Sequence, residues 1–575
     1  MRPRRLFILF FIWLGIGTSA FAQTAAPTAP PDLDTFVARA MKTFEVPGLS
    51  VAIVKDGQVV LARGYGVRRL GDAAPVDGKT RFGIASNTKV FTATALGLLV
   101  EEGKLRWDAP VVQYLPWFQM WDPYVTREIT VRDLLVHRSG LGLGAGDLLW
   151  WPASTYDRKE IARRLRFIRP ATSFRSAYAY DNVLYLIAGE VIEAVSGRSW
   201  EDFVAERILK KAGMTGSNVR HSDATEAGNV AVPHAEVDGT VRPIKPFDSD
   251  NTNPAGGINS SAEDMAKWVI VQLNEGALPD GTRLFSQRTS RELTTLVTPV
   301  PIPASVPPEM APLRMNFRGY ALGLDVCDYR GRKMVTHTGG LPGYLSMVSM
   351  IPDAKLGVVV LTNQESGEAF DAISYHVLDY YLNAPGTDWL GAYVKVRAQS
   401  QARVAAAGKQ ATAARNASST PSLPLAQYAG TYNDAWYGNI EIASENGKLV
   451  MKFGHTPSLV GDLEHWQYDT FIVRWRDREL RADAYVTFSI DPDGRIDQAK
   501  MRAVSPATDF SFDFQDLLLR PVAKGTGTAP GSRLRPPVRG SALRQAQGVV
   551  SSSNHEGPPD PRSLIPGPWS LAPDS

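Results

Sequence analysis

The stretch Ile84–Leu105, IASNTKVFTATALGLLVEEGKL, sets Ser86 three residues before Lys89 at the opening of a helical run. Residues three apart share a helix face, so the Lys89 nitrogen can lie against the Ser86 hydroxyl. A serine hydroxyl is a poor nucleophile at neutral pH until a nearby base takes its proton. The free backbone N–H groups of a helix N-terminus offer, in addition, a place for an oxyanion. The same residues also read as a helix cap followed by a solvated lysine. No other Ser-x-x-Lys occurs in the chain.

Working outward, GLSVAIVKDGQVVLARGYGV from Gly48 alternates apolar and polar residues around Asp56-Gly57, the signature of a β-hairpin. After the Ser86 segment the pattern is helical. A helix is expected at ITVRDLLVHRSGL, stopped by Gly140, and another at GGINSSAEDMAKWVIVQLNEG, where Ser261 and Asp264 have capping-box spacing. Strand-length runs return at GYALGLDVCDY, GRKMVTHTGG, GYLSMVSMIPD and LGVVVLTN. Strand, helices, strands is the order of an α+β fold whose first and last segments share one antiparallel sheet, flanked by helices and a helical lobe.

Two further segments carry chemistry. In FRSAYAYDNVLYLIAGEVIEAVSG, Tyr180 and Asn182 precede a helical run. A tyrosine beside a lysine cation ionises more readily and can serve as general base and acid, while an asparagine amide can bind both Lys89 and a substrate carbonyl. Equally, Tyr180 reads as packing and Asn182 as a cap. In THTGGLPGY, His337, Thr338 and Gly339 end a strand; a glycine there lets substrate lie along the strand, and the Gly340 N–H offers a second oxyanion donor.

Taken together, these segments resemble the S-x-x-K, Y-x-N and K-T-G motifs of the serine β-lactamase and penicillin-binding protein superfamily. The likeness to class C β-lactamases, family VIII esterases and D-stereospecific peptidases covers about residues 33–390, through VPGLSVAIV, HRSGL, PAGGINSSAEDMAKW and LTN. It implies Ser86 as acylated nucleophile, Lys89 as proton-shuttling partner and Tyr180 as catalytic base and acid. It further implies Asn182 as ligand of substrate and Lys89, His337 and Thr338 as the substrate-binding strand, and the Ser86 and Gly340 N–H groups as oxyanion hole. Two departures bear on substrate. His337 stands where penicillin-recognising members carry lysine, and a neutral imidazole grips a carboxylate less firmly than an ammonium does. Asp181, if it faces the site, favours amine-bearing substrates.

Residues 396–422 read as a partly helical linker, rich in Ala, Gln, Arg and Ser. Beyond it, residues 424–522 show short strands with Asn446-Gly447 and Asp493-Gly494 turns, an antiparallel barrel resembling the lipocalin-like domain of some bacterial serine hydrolases. Its His455 and His465, among aromatics, read either as barrel core and rim or as a flap over the active-site mouth. Residues 523–575 read as a disordered tail. At the other end, MRPRRLFILFFIWLGIGTSAFA, residues 1–22, has the basic start, short apolar run and small-residue cleavage site of a signal peptide, which points to a periplasmic or secreted protein with no later membrane span.

The single cysteine, Cys327, excludes an internal disulfide. The net charge of +3 comes from the two ends, and the nearly neutral body carries no footprint for nucleic acid. The eight histidines show no metal-ligand spacing, and no Gly-x-Ser-x-Gly elbow or phosphate loop occurs, so no metal or other cofactor is implied. The sequence therefore favours a serine hydrolase acting on small peptides, amides or D-amino-acid derivatives. An esterase or weak β-lactamase, or a cell-wall-peptide binder without turnover, stands as the alternative.

Overall fold

The computed structural model describes residues 27–223 and 228–523. The expected signal peptide, and the expected tail from Lys524 onward, lie outside the described residues.

The first helix, α1 (Leu33–Phe44), leads into β1 (Gly48–Lys55) and β2 (Gln58–Gly66). Asp56 and Gly57 both take positive φ, 52° and 77°, the turn that matches strand twist. Six more strands complete the sheet: β3 (Thr298–Pro299), β4 (Arg318–Tyr320), β5 (Asp325–Tyr329), β6 (Arg332–Leu341), β7 (Tyr344–Ile351) and β8 (Leu356–Thr362). Their spatial order is β2-β1-β8-β7-β6-β5-β4-β3, and β1 pairs antiparallel with β8, Leu49 opposite Thr362. The first and last parts of this segment thus meet inside one sheet, as the strand–helix–strand order requires.

Both faces of that sheet are covered, which is why β1 and β8 are buried along almost their whole length. Leu49, Val51, Ile53, Val358 and Val360 face α1, α5 (Gly367–Tyr381) and the start of α6 (Trp389–Ala413). Ala52, Val54, Val359 and Leu361 face the opposite layer, which holds α2 (Lys89–Glu101), α3 (Val183–Ser196) and α4 (Ala262–Leu273). Ser261 caps α4 by accepting from Asp264 N–H at 3.3 Å. Trp268 of α4 stacks on Phe91 of α2 at 4.1 Å between ring centroids. Trp268→Ala is expected to cost about 3–5 kcal/mol, seen as a lower urea midpoint for unfolding of the sheet and its helices.

The helix expected at ITVRDLLVHRSGL is instead one 3₁₀ turn, Asp133–Leu135. Asp133 turns back on Thr130 N–H and Oγ at 3.0 and 2.7 Å and binds Arg138, and His137 at φ 55° ends any helical continuation. In the stretch read as a linker, α6 runs on to Ala413 before the chain becomes irregular.

The C-terminal segment is a closed antiparallel barrel of eight strands in sequence order, from Gly430–Asp434 to Leu518–Pro521. Its apolar interior is continuous with that of the helical layer built on the large sheet. Tyr156 bonds the Tyr437 carbonyl and stacks on His455 at 4.0 Å, Arg164 donates to Trp436 O at 3.0 Å, and Arg481 pairs with Glu365 at 2.6 Å. His455 therefore sits at the interface between the two segments, while His465 faces Tyr468 and Phe471 on the barrel itself. No helix of the described residues is long and apolar enough to cross a membrane.

Candidate active site

Ser86 lies in a 3₁₀ turn, Ala85–Thr88, that feeds α2. Ala85 takes φ 47°, a left-handed backbone that costs an alanine about 1–2 kcal/mol and is held here by its surroundings. Ile84 N–H donates to Ile258 O at 3.0 Å, and Ser346 Oγ donates to Ile84 O at 2.7 Å. The strain lifts Ser86 to partial exposure while Ala85, Asn87, Thr88 and Lys89 stay buried.

Strand β6 packs directly on this turn. A Cβ at Gly339 would come within 2.2 Å of Ile84 O and 2.5 Å of Ser346 Oγ. The glycine therefore admits the Ser86 turn rather than a substrate, which corrects the expectation drawn from the sequence. β5 pairs with β6 only as far as Thr336, so among the described residues His337–Leu341 has β7 on one side and no paired strand on the other. Thr338 is half-buried and Gly340 exposed on this stretch.

Lys89 is completely buried. Its Nζ donates to Ser86 Oγ at 3.0 Å, Asn182 Oδ1 at 2.8 Å and Ala255 O at 3.0 Å. Asn182 cannot turn over, because its Nδ2 donates to Asp147 Oδ2 at 2.8 Å. Asp147 also accepts from Trp150 Nε1 and Ser511 Oγ, each at 2.9 Å. Burial pushes the Lys89 ammonium down to about 7 against the attraction of Asp147 and Asp181, and the same burial pushes the Asp147 carboxyl up.

Tyr180 donates to Ser86 Oγ at 2.9 Å, and Lys89 Nζ stands 4.9 Å from its ring centroid. The lysine does not draw this phenol down, as the sequence suggested. Burial dominates and pushes Tyr180 above its ordinary value, with the Asp147, Asp325 and Asp181 charges adding to it. The groups of this site poised to change protonation near neutrality are Lys89 and Asp147, each brought to about 7, and of the two only Lys89 touches Ser86.

The geometry says how. Asn182 Oδ1 and Ala255 O can only accept, so they hold the two N–H groups of a neutral Lys89, and its lone pair is left facing the one partner with a proton to give, Ser86. Tyr180 keeps its proton on the other side of the same oxygen.

His337, by contrast, presents nothing to a ligand. Its Nδ1 lies 2.5 Å from Thr338 O, which can only accept, so Nδ1 carries the proton and Nε2 accepts from Tyr320 O–H at 2.7 Å. The ring is 3 % exposed, and burial drives it down to about 3, so it is neutral at working pH. Its imidazole is therefore not available for the substrate contact expected of it. Asp181 also points inward, toward Ser139 Oγ at 3.4 Å and His137 Nδ1 at 3.9 Å.

Sequence reasoning missed Asp147, the Ala255 carbonyl, Tyr320 and Ser511. Asp147 left one sign, a carboxylate inside the turn-rich GLGAGD; the others left none. Among the described residues, no three His, Cys, Asp or Glu side chains gather into a metal-ligand set.

Residues 33–382, more than half of the sequence, match the Beta-lactamase family. The chain belongs to that family. Residues 414–521 of this beta-lactamase-family hydrolase match a domain of unknown function (DUF3471). It is 29% identical over 450 residues to the Unguisins hydrolase ungD of Aspergillus violaceofuscus, covering 73% of this chain and 77% of that one. Among solved structures it is similar in fold to the octameric penicillin-binding protein homologue of Pyrococcus abyssi, at TM-score 0.54 and 23% identity over 85% of this chain and 99% of that one. The D-amino acid amidase of Ochrobactrum anthropi SV3 aligns at TM-score 0.50 and 22% identity, over 61% and 97% of the respective chains. The protein is a serine hydrolase of the β-lactamase-related class.

Proposed function

We propose that this hydrolase cleaves amide or peptide bonds of small peptides or D-amino-acid derivatives through an acyl-enzyme on Ser86. One observation carries the reading: a half-exposed serine whose oxygen is shared by a buried lysine with two pure acceptors and by a protonated tyrosine. Neutral Lys89 takes the Ser86 proton as Oγ bonds to the substrate carbonyl carbon. The resulting oxyanion is received by the Ser86 and Gly340 N–H groups. Tyr180 delivers its proton to the leaving nitrogen, the C–N bond breaks, and the Lys89 ammonium restores the tyrosine proton. Water then reverses the attack and frees the acid.

Two observations favour amides over β-lactams. A neutral, enclosed His337 supplies no cation for the carboxylate of a β-lactam. The open edge at 337–341 suits an extended peptide that pairs as an added strand. The relatives named a hydrolase of unguisins and a D-amino acid amidase support the same choice. The sequence at residues 1–22 supports export, so the site of action is the periplasm or beyond.

The deciding experiment is intact mass of the mature protein after brief exposure to a fluorophosphonate, beside Ser86→Ala, followed by turnover of D-aminoacyl anilides, p-nitrophenyl esters and nitrocefin. One adduct on wild type, none on the variant, and kcat/KM highest on the anilides is the expected result. Adduct on both proteins would remove Ser86 from its role; turnover confined to esters or nitrocefin would overturn the substrate class.

A further inference from the structure

The barrel reaches the catalytic centre. Between its last two strands, Ile496–Ala503 and Leu518–Pro521, the chain leaves the barrel wall and lays residues 509–513 on the Gly142–Leu149 turn of the hydrolase segment. Asp513 accepts from Gly146 N–H at 2.6 Å and Leu148 N–H at 3.1 Å, fixing the turn that carries Asp147. Ser511 donates to Asp147 Oδ2, the same oxygen that receives the Asn182 amide. Gly144, at φ 67°, has no Cβ where one would meet the Phe510 ring at 2.7 Å, and its N–H donates to Tyr180 O at 2.9 Å. Phe510 in turn stands edge-on to the Tyr180 ring, 6.1 Å between centroids. A cleft beside Gly340 is lined from the hydrolase side by Trp151, Phe247 and Leu341 and from the barrel side by Asp509 and Phe512.

We propose that the 509–513 segment is a working part of the hydrolytic site, with Ser511 a positioning residue that sets Lys89 through Asp147 and Asn182, and Phe510 a wall of the approach to Ser86. This rests on the reading of Ser86 and Lys89 given above. Other contacts that tie the barrel to the hydrolase segment, such as Arg242–Glu479 and Tyr156 on the Tyr437 carbonyl, end on groups with no bond to the Ser86 and Lys89 network. Ser511 ends instead on a buried carboxylate whose other donors, among the described residues, are Trp150 and the asparagine that orients Lys89. Without the Ser511 hydrogen bond, Asp147 holds its proton more tightly and Asn182 shares its anchor with no second donor. The Lys89 ammonium, facing less negative charge, then loses its proton at lower pH. The other groups facing this pair are unchanged in such a variant: the Asp181 and Asp513 carboxyls, His137, His337, and the Tyr180 and Tyr185 phenols.

The test uses full-length protein and the rate at which a fluorophosphonate labels Ser86 between pH 5 and pH 9, for wild type, Ser511→Ala, Ser511→Thr and Phe510→Ala. Ser511→Ala is expected to label about 5- to 10-fold more slowly at its plateau, within the range for loss of one ordinary hydrogen bond, with its acid limb moved to lower pH by about half a unit. Ser511→Thr, which keeps the hydroxyl, should recover most of both. Phe510→Ala should keep the wild-type pH profile while changing the ratio of rates for a bulky and a small reagent. A folded Ser511→Ala that superimposes on wild type overturns the positioning role. Should that variant fail to fold, an unchanged reagent ratio in Phe510→Ala overturns the assignment of the segment to the site. A wild type that is not labelled at all overturns the proposed function and this inference with it, whereas labelled wild type with indifferent variants overturns this inference alone.

Discussion

Lys89→Met should slow acylation of Ser86 by about 10³-fold or more, the loss expected when a nucleophile is deprived of its base. Methionine fills the same channel between α2 and α3 but offers no lone pair to the Ser86 proton, so the effect is chemical rather than steric. The pH profile makes the test specific. In wild type, kcat/KM should rise with pH and level off above about 7, because only the deprotonated amine accepts a proton and burial has brought its titration into that range. In Lys89→Met that limb should vanish along with the rate. The variant leaves Asn182 Oδ1 and Ala255 O without their donor, which costs about 1–3 kcal/mol for each buried acceptor, while removal of a buried charge offsets part of it. A rate within tenfold of wild type, with the limb intact, would show that another group is the base.

Tyr180→Phe is the second large effect and the one that separates two roles for the same residue. The ring keeps its neighbours, the His137 imidazole at 4.3 Å and Phe510 at 6.1 Å, so packing survives. Only the hydroxyl on Ser86 Oγ is lost. If Tyr180 delivers the proton to the leaving group, hydrolysis of an anilide should fall by about 10²- to 10⁴-fold, the usual range for general acid catalysis. A p-nitrophenyl ester, whose leaving group departs as a stable anion, needs no such proton and should lose less than about 5-fold, since the rest of the site is intact. Equal losses on anilide and ester would assign the tyrosine to activation of Ser86 instead.

How far the sequence reached can be judged residue by residue. Ser86 and Lys89 were legible because both lie within one turn of one helix, where spacing alone fixes proximity. The sheet and the barrel were legible in their alternating runs and in turns such as Asn446-Gly447, which takes φ 51° and 76° as that dipeptide prefers. His337 shows the first limit. The strand was evident, but which way its ring points depends on register with β7, set only when Val348 falls opposite it. Ser511 shows the second. Its bond to Asp147 spans 364 residues, and no local pattern encodes a partner at that distance. Gly339 shows a third, since a glycine that makes room does not say for what.

The position of β1 bears on how the protein is made. It is among the first strands of the chain to be synthesised, yet its place in the sheet is beside β8, and residues 509–513 come later still. Chains emerge from the ribosome amino end first, at roughly 5–20 residues per second. The central sheet therefore has to wait, half-formed and apolar, until Leu356–Thr362 has been made, and Asp147 meets Ser511 later still. A polypeptide that stops short of residue 511 carries Ser86 and Lys89 without the Ser511 contact, so the positioning proposed for that serine is absent from every shorter nascent chain.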